Sequence, residues 1–198
     1  MTHPLQCRCG TLKGVVRHPE KALRGECYCR DCQAFARFLG KTDDVLDEKG
    51  GTDVVATRPG NVSFTEGVEA LACMSLTDKG LLRWYASCCN TPIGNTPRNF
   101  KVSHVGLIHT CLEGPGAAAL ESSFGPVRMR AGTKNAKGGA DAMALSTLVS
   151  VFRFAGSLIG ARMDGSYKAT PFFDPARGTP VVSPRVLTPS ERERARNG

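Results

Sequence analysis

The sequence predicts a mainly β fold, a small antiparallel body with one helix towards the C-terminus. Three observations carry that prediction. Short runs rich in β-branched and aromatic residues recur between residues 52 and 110, and glycine- or proline-bearing turn signals separate them. Cysteines far apart in the chain also fall at spacings that let metal ions tie loop ends together. A chain of 198 residues fits one domain, or one with an appended segment, and is long enough to bury a core without staples.

Taken in order, Cys7-Arg8-Cys9-Gly10 opens as a metal knuckle and leads into a strand through Val15 and Val16, ended by His18 and Pro19. Gly10 lets the backbone turn tightly enough for amides to face the thiolates. Next comes Cys27-Tyr28-Cys29-Arg30-Asp31-Cys32, three thiols at C-x-C-x-x-C spacing. On a tight loop such side chains turn inward to one point, and thiolates are the ligands that borderline-soft Zn²⁺ prefers. Residues 33–39 form a short helix closed by Gly40, and amides at its start lower the thiolate pKa. Residues 41–52, with Asp43, Asp44, Asp47 and Glu48, read as a solvated excursion.

The strands of the body follow as 53–57, 62–64, 71–74 and 81–85, with turns at Pro59-Gly60, Glu66-Gly67 and Asp78-Lys79-Gly80. Trp84 is expected to pack as core beside the metal loop. The segment from 84 to 95 brings Cys88 and Cys89 back, with Asn90, Pro92 and Gly94 supplying turn chemistry. His104 and His109 fall on an expected strand over 101–112, and each lacks a partner at ligand spacing. Cys73 and Cys111 sit in apolar runs and read as buried, inert thiols.

Three segments result: a zinc-binding β domain over 1–112, a flexible Gly/Ala/Pro/Lys-rich connection over 113–140, and a helix with an extended, proline-rich tail over 141–198, packed on the domain. Asp141 is the expected N-cap of that helix. A membrane span is the weaker reading of residues 141–163, because Arg153 at its centre costs about 2.5 to 3.5 kcal/mol on insertion scales.

The net charge of +8 draws attention to acidic partners. Its densest run, 185–196, is interrupted by Glu191 and Glu193, and no aromatic-interleaved basic strip accompanies it. A solvated surface fits better than a nucleic-acid site. A disulfide framework is disfavoured, since C-x-C neighbours bridge only with strain and the chain carries an odd nine cysteines. Metal spacing without pairing logic, and no apolar segment after Met1-Thr2-His3-Pro4-Leu5, set the expectation of a cytoplasmic protein without a membrane partner.

The order C-x-C-Gly, then C-x-C-x-x-C, then a late cysteine followed by x-Thr-Pro resembles the family of glutathione-dependent formaldehyde-activating enzymes and centromere protein V. Cys7-Arg8-Cys9-Gly10, Cys27 to Cys32 and Cys89-Asn90-Thr91-Pro92 carry the resemblance, over roughly the first 110 residues. It implies an Mss4-like β-tent with two zinc positions. The first, structural, has Cys7, Cys9 and Cys89 by match. Cys88 joins them by inference, because Ala86 stands where the family has its other late cysteine. Adjacent strand residues face opposite ways, so only a turn lets Cys88 and Cys89 bind one ion; otherwise Cys88 faces the triplet or nothing.

The second position implied is catalytic, held by Cys27, Cys29 and Cys32, with a coordination position left for a substrate thiol or water. The expected function is zinc-dependent activation of a small thiol such as glutathione for carbon–sulfur bond formation or cleavage, a carbon–sulfur lyase activity. The alternative is a non-catalytic zinc module that binds a partner or nucleic acid. One or two Zn²⁺ per chain fit the pattern.

Overall fold

The computed structural model describes residues 1–112, 117–140 and 146–197. Its first half alternates strands and short helical turns: β1 (Thr2–Gln6), β2 (Lys13–Arg17), β3 (Leu23–Cys27), α1 (Arg30–Phe38), α2 (Thr42–Val45), β4 (Thr52–Thr57), β5 (Val62–Glu66) and β6 (Leu71–Ser75). Then come β7 (Leu82–Ala86), β8 (Thr91–Thr96), β9 (Val105–Ile108), α3 (Ala117–Phe124), β10 (Met129–Ala131) and α4 (Ser146–Met163). The tail carries β11 (Phe173–Asp174), β12 (Thr179–Pro180), β13 (Arg185–Val186) and α5 (Pro189–Asn197). The chain is mainly β, with several sheets and a C-terminal helix.

A three-stranded sheet in the order β1-β2-β5 accompanies an eight-stranded sheet in the order β10-β3-β4-β9-β8-β7-β6-β13. In β1 and β2 alternate residues are buried, so His3, Leu5, Gly14 and Val16 face inward. β8 and β9 are buried along their whole lengths, as befits central strands covered on both faces. The main core gathers Leu12, Val55, Leu82, Trp84, Ile93 and Leu107. Trp84 is fully buried and donates its indole N–H to Thr96 Oγ1 at 2.9 Å, so its one polar atom is satisfied inside the core.

The C-terminal third corrects the sequence expectations. Residues 117–140, read from composition as a flexible connection, contain α3 and β10, and β10 pairs in parallel with β3 from Met129↔Gly25 to Ala131↔Cys27. Gly114-Pro115-Gly116 and the Asp141 cap lie outside the described residues. The tail is not simply extended. Phe172 is fully buried, with its ring 5.1 Å from that of Trp84, so the tail completes the main core. Its last turns form α5, because Thr188 and Glu191 make a reciprocal capping box: Glu191 N–H donates to Thr188 Oγ1 at 3.3 Å and Thr188 N–H donates to Glu191 Oε2 at 2.9 Å. Leu187 and Ala195 then pack with Phe35 of α1 and with Leu39, the residue that follows that helix.

The strand expected over residues 101–112 is confined to Val105–Ile108, leaving His104 before it and His109 in the helical turn after it. α4 lays Ala161 and Phe154 towards the body, while Val149, Phe152, Ile159 and Met163 on its other face are exposed. Among the described residues no helix is long and apolar enough to cross a membrane.

Candidate metal centre

Two cysteine clusters form, from seven of the nine cysteines. The first joins the loop after β1 to the turn between β7 and β8. Asn90 in that turn adopts a left-handed backbone with φ 55°, and the reversal brings the adjacent Cys88 and Cys89 to one side. All four sulfurs of Cys7, Cys9, Cys88 and Cys89 lie within 4.8 Å of one another. Cys7 is 3.5 Å from Cys9 and 3.7 Å from Cys88, Cys9 is 3.3 Å from Cys88, and Cys88 is 3.8 Å from Cys89. A tetrahedron of sulfurs with bonds of about 2.3 Å has edges of about 3.8 Å, so the donor set fits a four-thiolate ion such as Zn²⁺. The alternative in which Cys88 faces the triplet is not realised.

Charged and polar neighbours fix this knuckle. Leu12 N–H donates to Cys7 Sγ at 3.2 Å, and Arg8 N–H donates to Thr91 Oγ1 at 3.0 Å. The Arg8 guanidinium pairs with Asp44 of α2, which holds that carboxyl below its ordinary range. The excursion after α1 is therefore tied to the first cluster rather than merely solvated. The Thr11 hydroxyl and amide pull the Cys9 thiol down to about 6, the direction that favours metal binding.

The second cluster sits where β3 gives way to α1. Cys27 ends the strand, Cys29 is the N-cap of α1 and Cys32 lies in its first turn. The three sulfurs fall within 4.8 Å of one another, with Cys32 3.6 Å from Cys27. Cys32 N–H donates to Cys29 Sγ at 3.4 Å. Hydrogen bonds from the Cys27 and Cys32 thiols pull Cys29 down to about 2, while the same contacts push Cys27 and Cys32 up. Like charges this close oppose ionisation of all three thiols, and a cation held among them offsets that repulsion. Among the described residues no fourth His, Cys, Asp or Glu completes this group.

A residue absent from the sequence reading stands beside it. Arg83 of β7 is 2% exposed, and its Nη1 lies 3.9 Å from Cys32 Sγ. Nη1 also donates to Asn95 Oδ1 of β8 at 3.0 Å, and the guanidinium sits 5.4 Å from the centroid of the Phe35 ring. A buried cation requires a compensating charge, and the thiolates supply it. The available signal was one arginine inside the apolar run Leu81-Leu82-Arg83-Trp84.

β10 walls the other side. Tyr28 N–H donates to Ala131 O at 2.8 Å, and the next residue, Gly132, has φ 67°. A Cβ on Gly132 would meet the Cys29 nitrogen at 2.8 Å, so only glycine permits this approach.

The remaining candidates fall elsewhere. Cys73 is buried and its thiol is pushed up to about 12 by desolvation, while Cys111 donates to Ile108 O at 3.1 Å. His104 packs edge-on against Phe154, and His109 Nδ1 lies 3.3 Å from Asp53 O. Neither histidine joins a cysteine cluster.

A family model described as "Family of unknown function (DUF6151)" matches residues 1–182. No curated protein matches. Among solved structures, a crystal structure of a Rhodobacter sphaeroides protein is similar at 19% identity and a TM-score of 0.41, covering 65% of this chain and 98% of that one.

Proposed function

We propose that this chain, which belongs to the family of unknown function DUF6151, activates a small thiol at the Cys27, Cys29 and Cys32 cluster for carbon–sulfur bond formation or cleavage. Zn²⁺ is the ion we assign to both clusters, on the chemistry of all-thiolate donor sets. On this reading Cys7, Cys9, Cys88 and Cys89 enclose a structural ion, and the triplet holds an ion with one position open. The observation that carries the reading is the difference between the clusters: four sulfurs within 4.8 Å in one, three in the other. Closed structural sites use four protein ligands, whereas catalytic ones commonly keep three.

The chemistry zinc supplies when bound is acidification of a thiol that enters as the fourth ligand, giving a nucleophile near neutral pH. The chain's own residues set the conditions for it. The first turn of α1 aims Cys32 N–H at Cys29 Sγ, which stabilises negative charge there. Arg83 balances part of the thiolate charge from the protein side, leaving the site less repulsive to an anionic thiol. Glutathione is the thiol favoured by the resemblance to the formaldehyde-activating enzymes and their Mss4-like β-tent, with S-(hydroxymethyl)glutathione synthesis as the model reaction. Water is a poorer fit, since a three-thiolate ion is electron-rich and a weak Lewis acid.

A non-catalytic zinc module is the rival, favoured by the 8% exposure of Cys32 and by the close cover that Gly132 places over Cys29. Zinc stoichiometry on the native protein and on Cys29→Ser, with glutathione titrated into each, separates the two. Loss of one zinc together with loss of glutathione binding supports thiol activation. Unchanged glutathione binding rejects it.

A further inference from the structure

Away from both cysteine clusters, a cleft of about 990 Å³ opens at the start of β3. Leu23 lines it, and Cys27 stands at the other end of the same strand, about 13 Å away at the usual rise per residue. Four cationic side chains border the cleft, Lys21, Arg58, Arg128 and Arg153, against one carboxylate, Glu20. Over the whole chain the balance is 26 Lys and Arg to 18 Asp and Glu, so positive charge is concentrated here.

The four come from separate parts of the fold: Lys21 from the turn before β3, Arg58 from the end of β4, Arg128 from the approach to β10, and Arg153 from α4. Their convergence is produced by the tertiary structure, not by a charge run in the sequence. Glu20 faces His18, which also lines the cleft, with Oε1 3.4 Å from His18 Nδ1. Among the described residues Lys21, Arg128 and Arg153 form no ion pair. Arg58 is held in place by Ser166 Oγ, which in turn donates to Asp164 Oδ1 at 2.6 Å. Phe154 lines the cleft beside them and offers an apolar surface.

We propose that this cleft binds a phosphate-bearing anionic ligand, one or more phosphate groups on a small organic body. Guanidinium forks match phosphate oxygens two at a time, and several cations around one concavity focus the field on a multiply charged anion. The volume is that of a small-molecule site and admits an organic portion against Phe154. Phosphate chemistry is shared by soluble polyphosphates and by lipid headgroups, and the same charges serve either source.

The test uses the full chain at low salt, with pyrophosphate and ATP titrated by calorimetry and, separately, cosedimentation with phosphatidylcholine vesicles containing or lacking phosphatidic acid. Arg128→Glu/Arg153→Glu alters two exposed side chains in the cleft, and Lys79→Glu/Arg177→Glu makes the same charge change outside it. Thermal unfolding checks that both variants fold. The native chain is expected to bind at least one probe, with affinity weakened about tenfold or more by the cleft pair and within about twofold for the control pair. Pyrophosphate or ATP as that probe indicates a soluble ligand; phosphatidic acid vesicles alone indicate a headgroup, and either supports the site. Binding of no probe, or equal weakening by the two pairs, overturns it.

Discussion

Arg83 Nη1 lies 3.9 Å from Cys32 Sγ, placing a buried guanidinium against a cluster of three thiols. That relationship makes the second cluster an electrostatic unit rather than a loop of exposed cysteines. Replacing Arg83 by Met removes the balancing charge and frees Asn95. Zinc affinity at the triplet is expected to fall about 10- to 100-fold, the usual cost of losing an outer partner of a metal site. Competition with a chelator measures it, and Arg83→Lys should recover part of the loss because the charge returns without the planar fork.

Gly132 supplies a steric test of the same site. Gly132→Ala puts a Cβ 2.8 Å from the Cys29 nitrogen at a residue with φ 67°, so β10 or the triplet loop has to move. The expected outcome is weakened zinc binding at the triplet with the first cluster intact, read as loss of one of the two ions in metal analysis.

The first cluster is expected to behave as a structural clamp. Cys88→Ser leaves three sulfurs where four lie within 4.8 Å, and it unties the β7–β8 turn from the loop after β1. Metal analysis should show one zinc lost, and thermal unfolding a lower Tm, because binding free energy at a structural site is folding free energy. Glutathione binding at the triplet should persist in this variant.

The tail contributes to the core through Phe172, which is fully buried against Trp84. Phe172→Ala should cost about 3 to 5 kcal/mol in denaturant unfolding, the range for deleting a buried aromatic side chain. A cost under about 1 kcal/mol would mean that the tail does not complete the core.

The Thr188–Glu191 box makes α5 pH-sensitive. The Thr188 N–H, then its hydroxyl, then Arg185 hold the Glu191 carboxyl below its ordinary value of 4.5. A depressed carboxyl contributes stability that is fully present above that value and is lost as pH falls through its lower folded value. Protection of the α5 amides, taken relative to the intrinsic exchange rate at each pH, should therefore fall on acidification below about pH 4.5, and Glu191→Gln should remove most of that dependence.

The cysteine clusters were legible because ligand spacing survives in one dimension: C-x-C and C-x-x-C thiols meet wherever the loop turns. Arg83 was not, since a lone arginine in an apolar strand gives no sign of which distant group neutralises it; the partner, Cys32, is 51 residues away. Most strands of the body followed from β-branched runs between turn residues. β10 did not, because Met129-Arg130-Ala131 lies in a Gly- and Lys-rich stretch and is stabilised by pairing with β3, not by propensity. Thr188-Pro189-Ser190-Glu191 does carry a helix-start signal, which the proline density of the tail obscured.

Zinc K-edge X-ray absorption on the two-zinc protein, before and after addition of glutathione, tests the central claim most directly. With one enclosed site and one open site, the mean sulfur count per zinc should begin near 3.5 and rise to about four as the thiol enters. A count of four from the outset, unmoved by glutathione, would contradict thiol activation at the Cys27, Cys29 and Cys32 cluster.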